Sequence, residues 1–197
     1  MQRPLSPFLL IAAVAAVPSS AAAQRHEGLL LRVTPGISSA AASATVDDQE
    51  MSLRGGAGQL GITAGWAIAP RLILTAELLG HAILGPDLEI DGDVTETDED
   101  VEWGISYAGL GASYYFRNNL YLAGSGGPLI MTLDSDELES AETDVGGAAR
   151  LAVGYEWWVG SEVGLGVAVD LMAGAVPDDE DMWGVATLGL ALSATYN

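Results

Sequence analysis

Only two imidazoles, His26 and His81, occur in this 197-residue chain, which has neither lysine nor cysteine. Disulfides, thiolate metal sites, phosphate-loop lysines and Schiff-base nucleophiles are thereby excluded. A histidine working as a general base needs a nucleophile within hydrogen-bond reach. His81 shares the parity of Thr75 and Glu77, and no serine is convincingly placed beside it, so an interior hydrogen bond is its expected role. Gly56-Ala57-Gly58-Gln59-Leu60-Gly61 fits the G-x-G-x-x-G fingerprint. It follows a loop and opens a strand, the reverse of the context a dinucleotide site needs. Asp91, Asp93, Glu99 and Glu102 stand at the first, third, ninth and twelfth places of a calcium-loop register. Glu96 occupies the place where that loop needs glycine, and no helices flank it. No catalytic, cofactor or metal residue is assigned.

The remaining candidates are five charges embedded in apolar stretches: Arg32, Glu77, Arg150, Glu156 and Asp170. Each falls on the small-residue side of its stretch. A desolvated charge needs a partner, so these five are expected to form a paired network inside the fold, with a gated ion path as the sharper alternative.

The elements that position them are period-two. In the last stretch, Ala186, Leu188, Leu190, Leu192, Ala194 and Tyr196 alternate with Thr187, Gly189, Ala191, Ser193 and Thr195. One face is bulky and apolar, the other small and hydroxylated, which suits a strand with lipid outside and a narrow interior. Similar strands are predicted over about 28–37, 58–68, 72–83, 103–116, 120–133, 150–157 and 163–171. Long links are expected at 38–56, 85–102, 134–146 and 177–181, and short turns at 69–71, 117–119 and 159–161. Three-residue turns pair Ile68 with Leu72, Phe116 with Leu120 and Trp158 with Glu162, and the last register sets Arg150 directly opposite Asp170. For Leu129, Met131 and Leu133 to face outward like Leu122, a bulge is expected at Gly126-Gly127-Pro128.

Composition sets the surroundings. The formal charge is -20, with 27 acidic residues against seven arginines, so nucleic acid is not an expected partner and no basic patch is available for an anionic surface. Although 49% of the residues are hydrophobic, no run reaches the roughly 20 residues of a spanning helix, and any crossing of a bilayer must be made by a closed barrel. Residues 1–23 carry the three regions of an export signal, with 24–27 as a short lead and 28–197 as the folded domain. Of the 27 acidic residues, 22 lie in the four long links. Solvation is the ordinary reason, and divalent cation binding is the alternative.

Eight strands, three tight turns at one end and four long links at the other resemble the small eight-stranded Gram-negative outer-membrane β-barrels, of the OmpX, OmpA-barrel and opacity-protein type. The resemblance implies an all-β, antiparallel up-and-down transmembrane barrel in the cell outer membrane, contacting lipid and lipopolysaccharide. In that group the last strand carries a terminal aromatic as an assembly signal; here the aromatic is Tyr196. Trp66, Tyr114, Phe116, Tyr155, Trp157 and Tyr196 fall near the short turns, with Trp103 and Trp183 at the opposite strand ends, as two interfacial aromatic bands would require. The expected protein is a monomer without cofactor and not an enzyme. It has a plugged, charge-paired lumen, acidic external loops and a structural or surface-interaction role in adhesion or envelope integrity. The alternatives are an exported soluble barrel holding a small apolar ligand and an outer-leaflet lipid-modifying enzyme using His81. Replacing His81 is expected to leave the acyl composition of lipid A unchanged by mass spectrometry; an altered composition would bring the enzyme reading forward.

Overall fold

The computed structural model describes residues 28–46, 49–91, 93–96, 101–135, 138–178 and 181–197. The predicted leader 1–23, the lead 24–27 and Glu99 of the calcium register lie outside the described residues. Within them the strands are β1 (Leu29–Val46), β2 (Gln49–Ala69), β3 (Leu72–Leu84), β4 (Asp87–Ile90), β5 (Asp93–Glu96), β6 (Val101–Tyr115), β7 (Leu120–Ser135), β8 (Leu138–Glu142), β9 (Gly146–Trp158), β10 (Val163–Asp178) and β11 (Asp181–Tyr196). Eight of these, β1, β2, β3, β6, β7, β9, β10 and β11, form consecutive antiparallel pairs, and β1 pairs with β11 as well as with β2. The result is a closed up-and-down barrel with no free edge along the wall.

Alternation decides which side chains face out. Leu188, Leu190 and Leu192 are 57%, 55% and 65% exposed on the outer surface, whereas their neighbours Thr187, Ala191 and Ser193 are buried inside. Eight strands leave an interior just wide enough for side chains to fill. Here it is filled by two apolar clusters with polar residues between them. Leu30, Ile73, Tyr115 and Tyr121 pack together toward the short turns. Ile83, Trp103, Ile105, Leu129, Met131 and Val176 pack together toward the long links.

Four details differ from the sequence expectation. First, the link 38–56 is strand, because β1 runs to Val46 and β2 starts at Gln49, with Val46 opposite Gln49. Ala40, Ala42 and Ala44 are its inward, buried positions; the alternation there is between small residues, so it does not read as apolar against polar. Three more strands stand outside the barrel, β4 pairing with β2, β5 with β4 and β8 with β7. Second, no bulge re-aims β7. The β6–β7 register is the same on both sides of Gly126-Gly127-Pro128. Leu129 and Met131 face inward and are buried, and Leu133 is 37% exposed at the rim.

Third, four residues, 159–162, separate β9 from β10, closed by a hydrogen bond from Val159 N to Val163 O of 2.9 Å. Gly164 therefore lies opposite Trp158, Met172 opposite Arg150, and Ala152 opposite Asp170. The other two short turns keep the expected register, with Ala67 opposite Ile73 and Tyr115 opposite Tyr121, apart from an irregularity at the first turn. Fourth, Trp103 and Trp183 do not belong to an outer lipid-facing band. Trp103 is 1% exposed inside the loop-end cluster, and Trp183 packs against the same cluster.

The chain has no cysteine, so single cysteines report the facing of β7 cleanly. In the refolded barrel, Leu122→Cys is expected to react with a membrane-soluble maleimide, while Leu129→Cys and Met131→Cys stay protected until unfolding. Free labelling at 129 and 131 would restore the bulge.

Candidate functional site: the charged interior

All eight wall strands contribute to two hydrogen-bonded groups inside the barrel. The group nearer the short turns centres on Arg32 of β1 and Glu156 of β9, an ion pair of 3.1 Å whose members are 4% and 0% exposed. Arg32 Nε donates to Glu156 Oε1 and to Thr195 Oγ1, each at 3.1 Å, and Thr195 Oγ1 donates to Glu156 Oε1 at 2.7 Å. Tyr115 accepts from Arg32 Nη2 and donates to Glu156 Oε2 at 2.9 Å. The guanidinium also lies over the Tyr121 ring, 4.1 Å from its centroid, a cation–π contact strengthened by exclusion of water. That ring occupies the space a Cβ would need at Gly154, directly across the β7–β9 ladder. Glycine there is a requirement of close approach.

The second group centres on Arg150. Its Nη1 donates to Glu77 Oε2 at 2.9 Å and its Nε to Asp170 Oδ2 at 3.2 Å. Gln59 Nε2 donates to Asp170 Oδ1 at 3.1 Å, Ser125 Oγ donates to Glu77 Oε1, and Tyr107 OH donates to Ser125 Oγ at 2.9 Å. Gly189 makes room for this group: a Cβ there would collide with the Gln59 amide and the Asp170 carboxylate. The five charges predicted from sequence thus lie together inside, divided into two clusters. Arg150 reaches Asp170 diagonally, two ladder positions from the opposite pairing expected. Sequence reasoning missed Tyr107, Tyr115, Tyr121, Gln59, Ser125 and Thr195; their inward parity was the available signal.

A serine does stand beside His81, contrary to the expectation. Ser38 Oγ lies 2.9 Å from His81 Nδ1. A hydrolytic dyad also needs its histidine oriented through the other ring nitrogen, and His81 Nε2 is buried with no hydrogen-bond partner. Among the described residues no group of three or more His, Asp or Glu is arranged to hold a metal ion.

The aromatic residues near the short turns lie on the outer face. Trp66, Tyr114, Phe116 and Tyr196 are exposed, and Tyr155 and Trp157 are half-buried. Tyr114 meets Phe116 and Tyr155 meets Trp157 edge-on, at centroid distances of 5.1 and 5.0 Å.

No family model and no curated protein matches the sequence. Among solved structures the chain is similar to Neisserial surface protein A, with 14% identity and a TM-score of 0.61, over 86% of this chain and 97% of that one. It is also similar to the outer membrane protein OprG from Pseudomonas aeruginosa, with 12% identity and a TM-score of 0.52, over 88% and 98%. The fold is that of the small eight-stranded outer-membrane barrels.

Removing one member of a buried ion pair leaves the others charged and unpaired. Arg150→Met is expected to lower stability by about 3–5 kcal/mol, and adding Glu77→Leu and Asp170→Leu to recover most of the loss. Urea unfolding of the refolded barrel in lipid vesicles measures both; an Arg150→Met loss under about 1 kcal/mol would show that the cluster does not depend on Arg150.

Proposed function

We propose that this chain is an exported outer-membrane protein whose lumen is plugged, and that it serves envelope integrity or surface attachment through its loop end. The observation that carries the reading is the inversion of an ordinary core. Large apolar side chains cover the outside of the wall, while Arg32, Glu77, Arg150, Glu156 and Asp170 are buried within. A soluble barrel holding an apolar ligand needs the opposite facing. The aromatic residues near the short turns match one membrane interface. Residues 1–23 supply the export signal.

Two features support a plug. Eight strands leave no room for an open pore, and the apolar cluster around Trp103, Leu129 and Met131 lies beyond the ion pairs. At the long-link end the wall continues outward as the β1–β2 hairpin with β4 and β5 alongside it. Acidic side chains such as Asp87, Asp91 and Asp93 are exposed there. Such a surface suits contact with lipopolysaccharide through divalent cations, or with a cationic partner. The Ser38–His81 contact favours a second reading, lipid hydrolysis, which the His81 replacement decides.

Cell fractionation is expected to place the protein in the outer membrane, extractable only by detergent, with faster gel mobility before boiling than after. Planar bilayers containing it are expected to show no steady conductance. Recovery in the soluble periplasmic fraction would overturn the placement, and a stable open channel would overturn the plug.

A further inference from the structure

At the loop end of the interior lies a cavity of about 120 Å³ whose lining includes two tryptophans. Trp103, Trp183, Met131 and Leu53 form its apolar wall, and Glu142 and Asp178 line it as well. Its position follows from the hairpins. Glu142 of β8 is opposite Thr132 of β7, and Thr143 holds that hairpin down by hydrogen bonds to Met131 N and O. Asp144 N donates to Pro177 O at 3.1 Å, tying it to the end of β10 next to Asp178. Trp183, on β11, lies opposite Val176 of β10.

Three observations restrict what fits. The volume is close to that of engineered cavities of about 150 Å³ that take up one benzene, so the occupant is a small molecule. Indole faces attract cations, most strongly where water is excluded. Glu142 and Asp178 are exposed, and neither belongs to an ion pair among the described residues. Trp103 Nε1 is buried without a hydrogen-bond partner, although buried indole N–H groups ordinarily have one. The lining residues thus bring together two indoles, two acidic side chains and, on Trp103, a buried donor without a partner.

We propose that this cavity binds a small alkylated ammonium carrying a hydroxyl or ether oxygen, the chemistry of choline. The methyl groups of such a cation bring apolar surface to Met131 and Leu53, its charge is drawn to the indole faces and the carboxylates, and its oxygen supplies an acceptor. A neutral molecule of the same shape satisfies the apolar wall and forgoes the charge terms. The negative field of a chain with formal charge -20 concentrates such cations at the mouth. The same field disfavours a phosphate attached to the ligand, so the free cation is favoured over a phosphocholine headgroup.

The test is calorimetric titration of the full chain, refolded in maltoside micelles, with choline, tetramethylammonium, phosphocholine and the uncharged carbon isostere 3,3-dimethylbutan-1-ol. Choline is expected to bind about tenfold more tightly than the isostere and more tightly than tetramethylammonium or phosphocholine. Trp183→Ala is expected to abolish binding and Trp183→Phe to weaken it. The paired exposed changes Glu142→Gln and Asp178→Asn are expected to weaken it several-fold and reduce its salt dependence. Heat-modifiable gel mobility verifies that each variant is folded. Equal binding of choline and its isostere, or choline binding unchanged in the Glu142→Gln, Asp178→Asn protein, would overturn the proposal. Phosphocholine binding more tightly than choline would overturn the preference for the free cation.

Discussion

Closure of the sheet is the constraint on which everything else rests. β1 has β2 on one side and β11 on the other, so the wall leaves no row of unpaired backbone groups. A surface clothed in leucine and valine is compatible with hydrocarbon only when every N–H and C=O behind it is bonded within the wall. Once the ring is closed, strand number sets the bore, and the bore sets which side chains face one another across the interior. The ion pairs, the stacked Tyr121 ring and the apolar clusters are all consequences of that fixed width.

Inside, the charges sit between two apolar clusters. Their arrangement contributes little to net stability compared with a well-packed apolar interior, but it strongly penalises any register in which one member loses its partner. Tyr121 over Arg32, permitted by Gly154, and the meeting of Gln59 with Asp170, permitted by Gly189, show backbone and side chains agreeing on a single packing.

The wall was legible in the sequence wherever bulky residues alternate with small or polar ones, as at Leu188, Leu190 and Leu192. It was not legible where both sides are alike. Leu129, Ile130 and Met131 are all apolar, so alternation alone does not say which of them faces the lumen. Ala40, Ala42 and Ala44 read as a link because alanine and serine differ little in size, and with that stretch taken as a link Ser38 could not be set beside His81. The third turn shows another limit. A register shift of two residues preserves facing, so alternation fits a turn closed between Trp158 and Glu162 as well as the one found between Val159 and Val163, and it does not decide which residue lies opposite Arg150. Trp103 and Trp183 were assigned from their place at strand ends; the alternation of Trp103 with Leu110, and of Trp183 with Leu188, already pointed both inward.

Arg32 and Glu156 are 124 positions apart along the chain, and Glu77 and Arg150 are 73 apart. Neither contact joins adjacent strands: the β9–β10 hairpin alone gives Arg150 only Asp170, and no hairpin gives Arg32 its carboxylate. Long-range closures of this kind come late, after the entropy of the intervening loop has been lost. Until the wall closes, Arg32, Glu156 and Glu77 must keep their own hydration, and the half-built cylinder therefore holds water that the finished one expels. Ring completion and drying of the interior are in this sense a single cooperative step.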